Sequence, residues 1–106
     1  MTERPIRPDA PLVEAVRAIE SSRRRIAVVA VDDGGLLGTH TDGDIRRCLL
    51  AGGSLETPVS RAMNPDPVRA ENGSPDGYLI DLLRRANVMA LPLVDAEGRF
   101  QRIVHI

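Results

Sequence analysis

The chain of 106 residues has no lysine and no tryptophan, and it holds one phenylalanine, one tyrosine and one cysteine. Without lysine there is no amine for a Schiff base. Without aromatic platforms a single-stranded nucleic acid has nothing to stack on. A formal net charge of −1 leaves no basic footprint for a duplex, so no nucleic-acid partner is expected. The lone Cys48 excludes an internal disulfide and a thiolate metal site, and its apolar neighbours make it a small packed hydrophobe. No apolar run reaches membrane-spanning length, and Met1-Thr2-Glu3-Arg4-Pro5 does not start a signal peptide, so a cytoplasmic protein without a membrane partner is expected.

What is present is concentrated in Gly38-Thr39-His40-Thr41-Asp42-Gly43-Asp44-Ile45-Arg46-Arg47. This segment follows the apolar run Ile26–Val31 and the turn Asp32–Gly35, and it opens a helical stretch. Thr41 and Asp44 therefore stand at a strand-to-helix junction. There the free N–H groups of a first turn favour an anion, and a carboxylate can accept hydrogen bonds from a pair of sugar hydroxyls. The plainer reading is a capping box with Asp44 in place of the usual Glu or Gln, helped by the helix dipole.

Beyond that motif, the chain reads as one unit written twice. The first copy runs from an extended start at Ile6–Pro11 into a helix from Leu12 to about Ser22, with Leu12, Val13, Val16 and Ile19 at helical spacing. A polar turn at Arg23–Arg25, strand Ile26–Val31, strand Leu36–His40 and helix Asp42–Ala51 follow, and Gly52-Gly53 ends the helix. In the second copy a short strand at Val68–Ala70 precedes a helix at Tyr78–Arg85, with Leu79, Leu82 and Leu83 on one face. Strands at Met89–Val94 and Arg99–Ile106 complete it. Val31-Asp32-x-x-Gly35 aligns with Val94-Asp95-x-x-Gly98.

Three features together resemble the CBS domain, the cystathionine-β-synthase repeat. They are the Gly38–Arg47 signature, Leu91-Pro92-Leu93-Val94-Asp95, and the connector Val59-x-x-x-Met63-Asn64-Pro65. The resemblance implies an α/β (α+β) fold: two β-α-β-β-α CBS repeats packed sheet to sheet, the second truncated. The repeats would span 1–53 and 68–106, with a linker at 54–67. It also implies a non-catalytic regulatory module that requires no cofactor and binds an adenine nucleotide, AMP or ATP, between its repeats. Carried over by resemblance, Asp44 would hold the ribose hydroxyls and Thr41 the α-phosphate. Ile6, Ile26, Ala27 and Val28 would contact the base, and Arg46 and Arg47 would screen the phosphates.

The second repeat departs from the pattern. Val104 stands where Thr41 stands, and His105 where Asp42 stands, so the diol-binding pair occurs once. His40 and His105 lie at corresponding places near strand ends, about one register step apart, and packing at a strand end explains them better than a metal does. A sequence that stops within a strand suggests a longer protein with an attached catalytic domain. Thr41–Arg47 looks like the CBS pairs of sugar-phosphate nucleotidyltransferases and of arabinose-5-phosphate isomerases, and a pair at the start of the chain favours the nucleotidyltransferase. The competing reading is a dimerisation module with a vestigial site. In that reading the apolar helix faces Leu12, Val16, Ile19 and Leu79, Leu82, Leu83, with Leu49-Leu50, form a homodimer contact.

Overall fold

A computed structural model describes residues 4–22 and 25–105 of the chain. Helix α1 (Leu12–Ser21) forms where the apolar spacing puts it. It buries Leu12, Ala15 and Ile19, which three- and four-residue steps bring onto one face. Then come β1 (Ala27–Ala30), β2 (Leu36–His40), α2 (Asp42–Leu50), the short α3 (Val59–Ala62), β3 (Ala70–Glu71), α4 (Asp76–Ala86), β4 (Ala90–Val94) and β5 (Phe100–His105).

The expected order holds, with differences at the openings of the two halves. The extended start at Ile6 pairs with β1 only as a single parallel bridge to Val29. The opening strand expected at Val68–Ala70 forms instead at Ala70–Glu71, leaving Val68 and Arg69 outside it. Helix α4 begins at Asp76, ahead of the apolar pattern, because an acidic residue in the first turn suits a helix start that hydrophobic periodicity does not register. Of the polar turn, Arg23 and Arg24 lie outside the described residues, as does Ile106 of the last strand.

β1 and β2 pair antiparallel, while β4 lies between a parallel β3 and an antiparallel β5. Every residue of β1 is buried, because a helix covers one face and the other sheet covers the opposite one. Ala27 and Val29 join Ile6, Leu12, Ala15, Ile19, Ile45 and Val59 in a core beneath α1. Ile26 and Val28 point the other way and meet Ile103, with Leu36, Ala90 and Phe100 around them, which packs sheet on sheet. Leu79, Leu83, Leu91, Leu93 and Ala70 form a separate core in the second half. Backbone bonds stitch the sheets together, Leu36 N–H to Gly98 O at 3.0 Å and Phe100 N–H to Gly34 O at 2.8 Å.

The dimer argument from the two helix faces needs correction. Leu12, Ile19, Leu79 and Leu83 are at most 6% exposed and fill their own cores. The exposed apolar side chains lie elsewhere, at Leu50, Leu55, Tyr78, Ile80 and Met89 among others. Among the described residues no helix is long and apolar enough to cross a membrane.

Segment 54–67 is fastened to the first half by backbone groups. Helices α1 and α3 both start at a proline N-cap, Pro11 and Pro58, which has no side-chain cap to offer. The two starts satisfy each other. Leu12 N–H donates to Thr57 O at 2.8 Å and Val13 N–H to Leu55 O at 3.0 Å. In return Val59 N–H donates to Ala10 O at 2.8 Å and Ser60 N–H to Pro8 O at 3.1 Å. The segment then lies along β2, where Thr39 and Asn64 exchange both N–H···O bonds, at 3.1 and 2.8 Å. This contact explains the first glycine of the signature. A Cβ at Gly38 would sit 2.5 Å from Asn64 O and 2.8 Å from Met63 Sδ. Gly38→Ala is therefore expected to destabilise the chain by about 1–3 kcal/mol through overpacking. Thermal denaturation checks this, and an unchanged melting temperature would mean that Met63–Asn64 is free to move off β2.

Candidate functional site

The junction of β2 and α2 is a completed capping box. Thr41 is the N-cap in an extended conformation, φ −124° and ψ 173°. The Asp44 carboxylate accepts twice at Oδ2, from Thr41 N–H at 2.9 Å and from Thr41 Oγ1 at 3.0 Å. At Oδ1 it accepts from Arg47 Nη2 at 2.7 Å. The Asp44 side chain is 13% exposed and that of Arg47 69%, so a nearly buried anion is held by a solvated cation.

This junction lines a cleft of about 420 Å³ between the two halves, together with Arg25, Thr39 and Asn64. Ile26, Val68, Val88, Met89, Ala90 and Pro92 make its apolar walls. The late start of β3 leaves Val68 free to line the opening, and β3 reaches only Leu93 and Val94 of β4, so Pro92 faces no parallel partner strand.

Of the expected site residues, the structure gathers Thr41, Asp44, Arg47 and Ile26 at the cleft. It does not bring Ile6, Ala27, Val28 or Arg46 to it. Ile6 and Ala27 are packed under α1, and Val28 is packed against Ile103 between the sheets. A run of consecutive strand residues cannot share one wall, because side chains alternate between faces. Arg46 is exposed on α2, one position off the face that carries Asp44 and Arg47. Asn64, Val68, Met89, Ala90 and Arg25 went unnoticed as cleft residues. The repeat itself held a signal for one of them, since the alignment that pairs Val31 with Val94 pairs Ile26 with Met89. Arg25 has a left-handed backbone, φ +57°, and reaches Asp42 at 4.0 Å.

The turn aspartates behave as local backbone acceptors. Asp33 takes the Gly35 N–H and Asp95 those of Glu97 and Arg99, each at 2.9 Å. Donation from the Arg99 N–H and side chain holds the Asp95 carboxyl below the usual carboxylate range. His105 is exposed, whereas His40 is fully buried behind the site. His40 Nε2 meets the Val59 carbonyl at 2.8 Å, while Nδ1 has no partner among the described residues. Burial pushes the imidazole below its ordinary value of 6.5, against the opposing pull of the Val59 bond and the Asp44 charge. The unfolded chain thus takes up this proton first on acidification. Stability is expected to be full above pH 6.5 and to decline as the pH falls below it. Melts between about pH 8 and pH 5 check the sign, and a melting temperature that rises on acidification through this window would overturn it.

Residues 2–51 match the family model of the CBS domain. The chain contains a CBS domain. The fold extends the likeness over both halves. A CBS-domain containing protein from Agrobacterium tumefaciens superposes with a TM-score of 0.76 at 28% identity, over 96% of this chain and 81% of that one. A CBS domain protein from Pyrobaculum aerophilum, complexed with AMP, superposes with a TM-score of 0.80 at 18% identity, over 99% of this chain and 82% of that one. Among curated proteins, arabinose 5-phosphate isomerase GutQ of Salmonella typhi is 37% identical over 90 residues, 83% of this chain and 28% of the relative. The chain thus spans little more than a quarter of the length of the curated relatives it matches. These relatives carry isomerase names and lend no support to the nucleotidyltransferase association expected from the sequence. The CBS module is by itself regulatory and non-catalytic.

Proposed function

We propose that this chain is the adenine-nucleotide-sensing CBS pair of a sugar-phosphate isomerase, with repeats at 1–53 and 68–106 joined by a linker at 54–67. The observation that carries the ligand reading is one cleft lined both by Thr41, Asp44 and Arg47 and by Ile26, Val68 and Met89. A nucleotide needs both kinds of surface. Its ribose hydroxyls fit the Asp44 carboxylate, its phosphate fits the first turn of α2 with Thr41 and Arg47 beside it, and its base fits the apolar walls. The AMP complex of the Pyrobaculum neighbour supports adenine as the base to try first. The likeness to GutQ supports an isomerase as the attached enzyme, whose activity the pair would modulate.

Titration calorimetry against AMP, ADP, ATP, CMP and GTP tests this reading, with one site expected per chain because the Thr41 position is occupied by Val104 in the second repeat. Loss of the charge-assisted bonds in Asp44→Ala is expected to weaken binding about ten- to hundredfold. Asp44→Glu separates the two roles of this side chain. Glutamate is the better capping partner, so the melting temperature should hold, while the longer side chain misplaces the carboxylate and affinity should fall. An Asp44→Glu variant with full nucleotide affinity would leave only the cap.

The dimerisation reading keeps one support, the exposed Leu50 (81%), Tyr78 (50%) and Ile80 (44%). In a two-fold contact through α2 and α4, a charge at Leu50 would enter twice. Leu50→Asp is then expected to convert a dimer to a monomer in analytical ultracentrifugation. A wild-type chain that sediments as a monomer at high micromolar concentration would remove this reading.

A further inference from the structure

Asp44 has little acceptor capacity left for a ligand. A carboxylate offers about four acceptor positions. Thr41 fills both of those at Oδ2, with its N–H at 2.9 Å and its hydroxyl at 3.0 Å. Arg47 Nη2 fills one at Oδ1, at 2.7 Å. A vicinal diol that donates both hydroxyls needs two positions, so one existing bond has to break. The Thr41 N–H bond closes the cap at the start of α2 and stays. Of the two side-chain donors, the Thr41 hydroxyl at Oδ2 is neutral, and Arg47 at Oδ1 brings the charge that decides how tightly the carboxylate is held. Arg47 is the partner able to leave, since its side chain is 69% exposed on a flexible stem. It also has somewhere to go. Arg47 lines both the cleft between the repeats and an adjoining groove of about 530 Å³ between α2 and the linker, which Cys48, Thr57 and Arg61 also line.

We propose that Arg47 is a specificity gate on Asp44: it yields the carboxylate to a ligand diol only when the same ligand brings a phosphate to take the guanidinium in exchange. The inference rests on the nucleotide reading above and sharpens it. A nucleoside has to displace Arg47 from a nearly buried carboxylate and gives the guanidinium nothing in return. A nucleotide replaces the Arg47–Asp44 pair with two others, diol to carboxylate and guanidinium to phosphate. The site therefore selects phosphorylated ribosides over bare ones through competition for one carboxylate, in addition to any direct attraction of the phosphate.

The gate differs from a simple phosphate contact in one readout, the affinity for the unphosphorylated ligand. AMP and adenosine are titrated by calorimetry into the wild-type chain and into Arg47→Ala, with melting temperatures recorded for both proteins. The wild type is expected to bind AMP and to bind adenosine far more weakly. In Arg47→Ala the freed carboxylate should bind adenosine about three- to fivefold more tightly, the equivalent of losing an ion pair of at most about 1 kcal/mol. AMP should bind about tenfold more weakly for want of its phosphate partner. AMP binding in the wild type with adenosine affinity unchanged in the variant would overturn the gate and leave Arg47 as an ordinary phosphate contact. Weaker binding of both ligands together with a lowered melting temperature would overturn it in favour of a structural role. A wild type that binds neither ligand would reject the nucleotide reading itself, and the gate with it.

Discussion

The fold depends on the mutual satisfaction of two helix starts. A helix that begins at proline has no capping side chain, and its first N–H groups need partners. Pro11 and Pro58 pose this problem at the heads of α1 and α3. The solution is reciprocal, since carbonyls just before each helix accept the N–H groups of the other. Segment 54–67 is thereby bound to the first repeat as part of its framework. Its direction after α3 is then fixed, and it runs down the edge of β2 until Asn64 pairs with Thr39. The cleft is lined by Asn64 and, a few residues beyond, by Val68, so this exchange of backbone bonds helps to place its lining.

Within that frame, the same side chains build the fold and the site. Asp44 closes the capping box, and this duty holds its carboxylate in one place, at the mouth of a cleft and almost out of water. A carboxylate held in place loses little further freedom on binding a ligand, and low exposure strengthens every hydrogen bond it makes. His40 lies one residue before the cap and ties β2 to the head of α3 through the Val59 carbonyl. Linker, strand end and cap are thus joined at His40.

Sequence patterns located the elements of this chain where several local signals coincided. Strand β2 at Leu36–His40 and α2 from Asp42 were legible because turn residues, a cap and a change of period coincide there. The opening strands were less legible, because a single bridge at Ile6 or a pair of residues at Ala70–Glu71 leaves no periodic trace. The polar half of the cleft, Thr41, Asp44 and Arg47, could be found from the motif, since those residues are neighbours on one helical turn. Of its apolar lining only Ile26 was named, while Ile6, Ala27 and Val28 are packed in the cores.

The sequence by itself therefore determined the class of fold and the cap formed by Thr41 and Asp44, which depend on patterns of residues a few positions apart, and the repeat of those patterns along the chain. Only the tertiary structure decided what faces the cleft. Whether Ile26 or Ala27 lines it depends on strand register and on which sheet lies opposite. Whether Val68 and Met89 join them depends on the path of the linker across β2. Those are relations between residues tens of positions apart, set by backbone hydrogen bonds such as Thr39–Asn64 that are the same for almost any side chain and so leave little mark on the sequence, except where a Cβ would not fit, as at Gly38.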